Sequence, residues 1–162
     1  MTKKSDGNWY YQQIELGLNY RMTELQAALG ISQIKKVDEF VRGRHMLKVN
    51  YDKLLSDLPI VVPYQNSDSY SALHLYPIQI KLDQVSTNRR QVFNEMRDNG
   101  IGVNVHYIPI HTQPFYANLG FKEGDFPNSE YYYSRALSLP LFPSMTPDLQ
   151  KKVCETLKRA LQ

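Results

Sequence analysis

The stretch Ala72-Leu73-His74-Leu75-Tyr76-Pro77-Ile78-Gln79-Ile80-Lys81-Leu82 decides the fold class. Its apolar side chains recur at every second position, the period of a half-buried strand. Pro77 has no N–H to give to a ladder, so an edge position or a bulge is expected there. His74, on this strand, reads as a core histidine rather than a ligand. Downstream the period turns helical. Thr87 is the candidate N-cap, Val92, Phe93 and Met96 form the apolar stripe, and Asn99-Gly100 is the stop. Ile101 to Ile110 reads as a second strand and Tyr116 to Phe126 as a loop. Ser129 to Leu137 reads as a short helix, and Ser138 to Phe142 as a short extended piece. Thr146-Pro147-Asp148 opens a last helix with a cap and then Pro at the first position. Val153, Leu157 and Leu161 lie on its buried face.

Upstream of the strand, Thr23 is followed three residues later by Gln26, the spacing of a capping box. Apolar residues then recur at helical intervals from Leu25 and Leu29 through Val41 and Leu47 to Tyr51, Leu54 and Leu55. The pattern predicts one long helix from about Thr23 to Leu55, bent or interrupted near Gly43. Gly30 lies inside it. A glycine there costs about 1 kcal/mol against alanine, so a close backbone contact is expected to explain it. Leu58-Pro59 ends the helix. The expected class is therefore α+β: a long N-terminal helix, then a small, mainly antiparallel sheet with helices on one face. The expected division is a lead-in loop over residues 1–22 and a small domain over 23–162 that includes the helix 23–55.

Composition narrows the function classes. With 42% hydrophobic residues, 12 Tyr and 6 Phe, the chain has the material for a core and does not read as disordered. The net charge of +3 is spread over short pairs such as Lys35-Lys36, Arg89-Arg90 and Lys151-Lys152. That dispersal argues against a nucleic-acid partner. Cys154 is the single cysteine, which rules out an internal disulfide and reads as a small buried hydrophobe. No apolar run approaches the length of a membrane span, and the first residues are polar. The expectation is a cytoplasmic protein with no membrane partner.

Familiar catalytic signatures are absent from the sequence: no G-x-S-x-G, no P-loop, no G-x-G-x-x-G, no H-E-x-x-H. His106 and His111 are five apart. On a strand that odd spacing puts them on opposite faces, so no shared metal is expected. Three segments nevertheless stand out. Gly17-Leu18-Asn19-Tyr20-Arg21-Met22 precedes the long helix, where an Asn amide and an Arg fork suit phosphate; the plain alternative is a helix-entry turn with a surface Arg. Val105 to Tyr116 packs two His, two Tyr and two Pro into twelve residues. It suits a polar ligand, or else is a turn stiffened by Pro and packed by aromatics. Leu137-Ser138-Leu139-Pro140-Leu141-Phe142-Pro143 reads simply as a buried extended strand.

Taken in order, these phrases resemble the C-terminal region of the DegT/StrS family of sugar-nucleotide aminotransferases, fold-type I enzymes that use pyridoxal phosphate (PLP). The matching phrases are Gly17-Leu18-Asn19-Tyr20-Arg21-Met22-Thr23-Glu24-Leu25-Gln26-Ala27-Ala28-Leu29-Gly30, then His74-Leu75-Tyr76, then Gly100-Ile101-Gly102 leading into Val105 to His111, then Ser138-Leu139-Pro140. Within the family, Trp9-Tyr10-Tyr11 and Val105 to His111 look most like the branch that makes UDP-4-amino-4,6-dideoxy-N-acetyl-β-L-altrosamine, on the way to pseudaminic acid.

The resemblance implies a homodimer with composite active sites, in which the loop over 1–22 reaches the partner subunit. It implies Asn19 on the PLP phosphate, and Arg21, His106, Tyr107 and His111 near a UDP-sugar substrate. His74 and Tyr76 are placed nearby or in purely structural roles. The whole enzyme would move an amino group from glutamate to a 4-keto sugar nucleotide. The family's Schiff-base lysine lies upstream of the matched region, as do its ring-stacking aromatic and its carboxylate partner. No catalytic residue is therefore expected in this chain, which would be a cut or truncated piece and inactive alone. The alternative is a non-catalytic sugar-nucleotide-binding or dimerisation module.

Overall fold

The computed structural model describes residues 12–18 and 20–162. The chain divides into two compact units, residues 1–37 and 38–162. In the first, α1 spans Glu24–Ile34. Its start follows the capping-box expectation. The Thr23 hydroxyl accepts from the Gln26 N–H at 3.3 Å, and the Gln26 side chain accepts from the Thr23 N–H at 2.9 Å. None of its residues is buried, and Leu25, Leu29, Ile31 and Ile34 are all exposed.

The single helix expected over 23–55 is two. A turn at Lys35 and Lys36 separates α1 from α2, Val37–Leu54. The Lys36 N–H closes on the Gln33 carbonyl at 3.0 Å, a tightened last turn that satisfies an end carbonyl of α1. The break is thus not at Gly43, which stays helical. There the backbone of Pro143 approaches to within 3.8 Å of where a Cβ would stand. The close contact expected at Gly30 is absent, since nothing lies within 4 Å of that position.

In the second unit, three antiparallel strands lie in the order β1 (Ile60–Val61), β2 (Tyr76–Ile80), β3 (Ala136–Leu139). β1 pairs Ile60 with Ile80, and β3 pairs Ser138 with Pro77. The expected strand over 72–82 is real but shorter. His74 falls before it and is exposed, so it is not a core histidine. Pro77 is tolerated beside β3 for a specific reason. Its partner Ser138 turns both backbone groups the other way, donating to the Asn104 carbonyl at 2.8 Å and accepting from its N–H at 3.3 Å. The ladder needs no N–H from residue 77.

The second strand expected over 101–110 is reduced to that one bridge at Asn104. Ile101 and Val103 are buried as a strand would bury them. Pro109 then removes a donor, and Ile110–Thr112 winds into a 3₁₀ turn. The loop expected from Tyr116 is partly helical, because α4 covers Pro114–Ala117. α5 spans Pro127–Arg135 and runs directly into β3.

The core explains the rest. Tyr51 of α2 and Tyr76 of β2 are fully buried, with ring centroids 4.9 Å apart. Each phenol is satisfied: Tyr51 donates to the Pro140 carbonyl at 2.9 Å, Tyr76 to Asp52 at 2.7 Å. Burial holds both hydroxyls in their protonated form, well above the ordinary phenol range. Ile78, Ile80, Val92, Met96, Leu137 and Leu157 complete the interior. Cys154 is buried, as expected, and burial pushes its thiol up to about 11, with Glu155 adding to the effect. The last helix, α6 (Pro147–Ala160), starts at Thr146, whose side chain accepts from the Leu149 N–H.

α3, Arg89–Asp98, is capped by Asn88 rather than Thr87. Asn88 and Gln91 form the reciprocal capping box, which the smaller Thr87 side chain does not take part in as the cap. Its far end is a Schellman motif. The Ile101 N–H reaches the Met96 carbonyl and the Gly100 N–H reaches that of Arg97, with Gly100 at φ +76°. This turn feeds the chain from α3 into residues 101–106. No side chain would be met by a Cβ at Gly100, so Gly100→Ala should cost only the left-handed backbone penalty, about 1–2 kcal/mol. Urea unfolding of the two proteins measures it, and an unchanged midpoint would contradict the motif.

Candidate functional site

The segment from Asn104 to Gln113 is irregular, yet it is tied down at each end. Near its start, His106 places Nδ1 2.8 Å from the hydroxyl of Ser138. Its Nε2 lies 3.5 Å from the side-chain amide nitrogen of Asn104. The Asn104 side-chain oxygen accepts from the Val105 N–H at 2.8 Å. The His106–Tyr107 peptide is cis, and the two rings meet edge-on at 4.6 Å. His106 is half-buried, whereas Tyr107 is 71% exposed. The site therefore offers an oriented imidazole beside an open phenol.

The far end is held by a different pair. His111 sits in the 3₁₀ turn, is buried, and brings Nε2 to 2.8 Å from a carboxylate oxygen of Glu130 in α5. The same oxygen accepts from the Gly124 N–H at 2.8 Å. Phe126 packs on the His111 ring at 4.8 Å. Ile110, His111, Tyr116, Phe121, Phe126 and Ser129 surround a shallow apolar pocket of about 330 Å³. The hydrogen bond from His111, and then that from Gly124, holds the Glu130 carboxyl below the usual carboxylate range.

The sequence-derived residues thus fare differently. Asn19 lies outside the described residues. Arg21 is exposed in the first unit. His106 and Tyr107 stand together in the second. His111, expected at the substrate, has an internal carboxylate as its Nε2 partner and is closed off from solvent. The opposite-face argument for the two histidines fails in its premise, because no strand connects them. Tyr76 is a core residue. Three contributors were not singled out from sequence: Asn104, Glu130 and the hydroxyl of Ser138. A serine in a run of otherwise apolar buried residues was the available signal for the last, since a buried hydroxyl needs a partner.

Comparison with known proteins identifies the fold and its kinship. The chain matches the DegT/DnrJ/EryC1/StrS aminotransferase family over residues 1–158. It belongs to that family. Among its relatives is the spore coat polysaccharide biosynthesis protein SpsC of Bacillus subtilis, 37% identical over 95% of this chain and 40% of SpsC. Another is the UDP-4-amino-4,6-dideoxy-N-acetyl-β-L-altrosamine transaminase of Campylobacter jejuni, 33% identical over 95% of this chain and 41% of that enzyme. Among solved structures, S. venezuelae DesV in complex with a ketimine intermediate superposes with a TM-score of 0.82 at 26% identity, covering 96% of this chain and 41% of DesV. The chain thus spans about two-fifths of the length of these family members.

The family's PLP needs a lysine to hold it covalently, and a reactive lysine is one kept desolvated or beside another cation. Among the described residues, no lysine is buried; Lys48 and Lys81 are half-buried, and Lys48 is paired with Asp52. None of the described lysines is therefore kept desolvated in the way such a lysine is.

The Glu130 pair makes a pH prediction. A carboxyl whose folded-state pKa is depressed adds stability above its unfolded pKa and loses it as pH falls through the folded value. Stability should drop from about pH 4.5 downward more steeply in the wild type than in Glu130→Gln. Calorimetric melting at a series of acidic pH values checks this; parallel curves for the two proteins would rule the pair out as a contributor.

Proposed function

We propose that this chain is the small-domain region of a PLP-dependent aminotransferase that moves an amino group from glutamate to a 4-keto sugar nucleotide. In this reading the sugar is UDP-linked and belongs to the pseudaminic acid route or a related surface-sugar route in the cytoplasm. What supports it is the family match across nearly the whole chain, together with the amino sugar nucleotide in the Campylobacter relative's name. PLP, when bound in the whole enzyme, supplies the electron sink for transamination.

The chain's own residues bind and orient. Asn19 contacts the cofactor phosphate and Arg21 the nucleotide-sugar, both across a homodimer interface. His106 and Tyr107 line the carbohydrate. His111, through Glu130, holds the segment that carries them. The Schiff-base lysine is not among this chain's residues, so the chain alone does not transaminate. A second reading, a dimerisation module with no ligand, draws on the exposed Leu25, Leu29, Ile31 and Ile34 of α1.

The test combines two measurements on the purified chain. With PLP added, no internal-aldimine absorbance and no turnover of glutamate with a UDP-4-keto sugar are expected. With a UDP-sugar added and PLP omitted, calorimetry should register binding. An aldimine band would overturn the assignment of the lysine elsewhere, and absent sugar-nucleotide binding would favour the dimerisation module.

A further inference from the structure

The tautomer of His106 can be read from its surroundings. Asn104 donates nothing through its side-chain oxygen, which is already occupied by the Val105 N–H at 2.8 Å. The group that faces His106 Nε2 is therefore the amide NH2, a donor, at 3.5 Å. A donor opposite Nε2, even at this distance, favours a lone pair over a proton on that nitrogen. The favoured neutral ring then carries its proton on Nδ1, where the Ser138 hydroxyl is in position to accept it at 2.8 Å.

Ser138 is well fixed for this task. It is buried, and its backbone N–H and carbonyl are both bonded to Asn104. One bridge thus fixes the two residues that grip the ring from either side. The contact with Asn104 is long and weak, so Nε2 keeps a lone pair that a better donor can claim.

We propose that Ser138 and Asn104 are positioning residues that hold His106 in its Nδ1–H form, so that Nε2 accepts a hydrogen bond from a hydroxyl of the ligand. An acceptor nitrogen pairs with an O–H. It does not pair with an ionised phosphate oxygen, which is itself an acceptor. The assignment rests on the sugar-nucleotide reading and deepens it: His106 reads a hydroxyl, not the diphosphate. It also separates His106 from Arg21, whose fork suits the anionic part of such a ligand.

The experiment is ring nitrogen NMR on the full 162-residue chain labelled with 15N in histidine, above the pH at which its imidazoles titrate. In the ligand-free wild type, His106 should show a pyrrole-like Nδ1 and a pyridine-like Nε2. The reverse pattern overturns the proposal, whatever the ligand is. Ser138→Thr, which keeps the hydroxyl, should preserve the pattern, and Ser138→Ala should shift the ring toward the Nε2–H form. A pattern unmoved in a folded Ser138→Ala would show that the hydroxyl does not set the tautomer. UDP-N-acetylglucosamine and pyrophosphate then serve as probes. Nε2 should move with the first and stay pyridine-like with the second. Double protonation of the ring on pyrophosphate overturns the hydroxyl assignment. If neither probe moves any resonance, the sugar-nucleotide reading fails for this chain, while the ligand-free spectrum still decides the tautomer.

Discussion

One backbone pairing carries much of the second unit: Ser138 with Asn104. β3 is buried at all of its positions, with β2 on one side of it. On the other side, among the described residues, it has only this bridge. Because Ser138 spends its backbone N–H and carbonyl on Asn104, Pro77 can stand opposite it in β2 without leaving an unpaired group. Because Asn104 is fixed there, the chain leaves the sheet at a defined point and carries His106 and Tyr107 outward. The same residue pair then lends its side chains to the His106 ring.

The irregular segment beyond this bridge gains order from polar contacts rather than from a ladder. His106 is tied to β3 and His111 to α5, with Tyr107 to Ile110 between these ties. Tyr107, Ile108 and Ile110 remain exposed. An anchored loop that presents exposed groups between two ties is a common way for a rigid scaffold to carry a binding surface.

Legibility in the sequence followed the reach of each signal. Periodicity and capping found the start of α1, the body of α3, β2 and α6, because those depend on neighbours within a turn or on alternation along a strand. The same reasoning placed the helix break at Gly43, where glycine propensity pointed. The chain instead breaks at Lys35-Lys36, and Gly43 stays helical at ordinary contact distance from Pro143. Residues 101–110 carry strand-like alternation because Ile101 and Val103 are buried, yet ladder formation depends on what β3 has to offer, thirty-four residues away in sequence at the bridge. The site was half legible: His106, Tyr107 and His111 drew notice by composition, but nothing local told that His111 would be buried against Glu130. Resemblance to a known family supplied the functional class that the residues alone left open.

Amide hydrogen exchange tests the central constraint most directly. If the Ser138–Asn104 pairing anchors the site segment, the Ser138 and Asn104 amides should exchange only with global unfolding, as slowly as the core of β2. The amides of Tyr107 and Ile108, between the two ties, should exchange far faster. Ser138 and Asn104 exchanging as fast as Tyr107 would contradict the account, because the bridge would then open independently of the core it is said to organise.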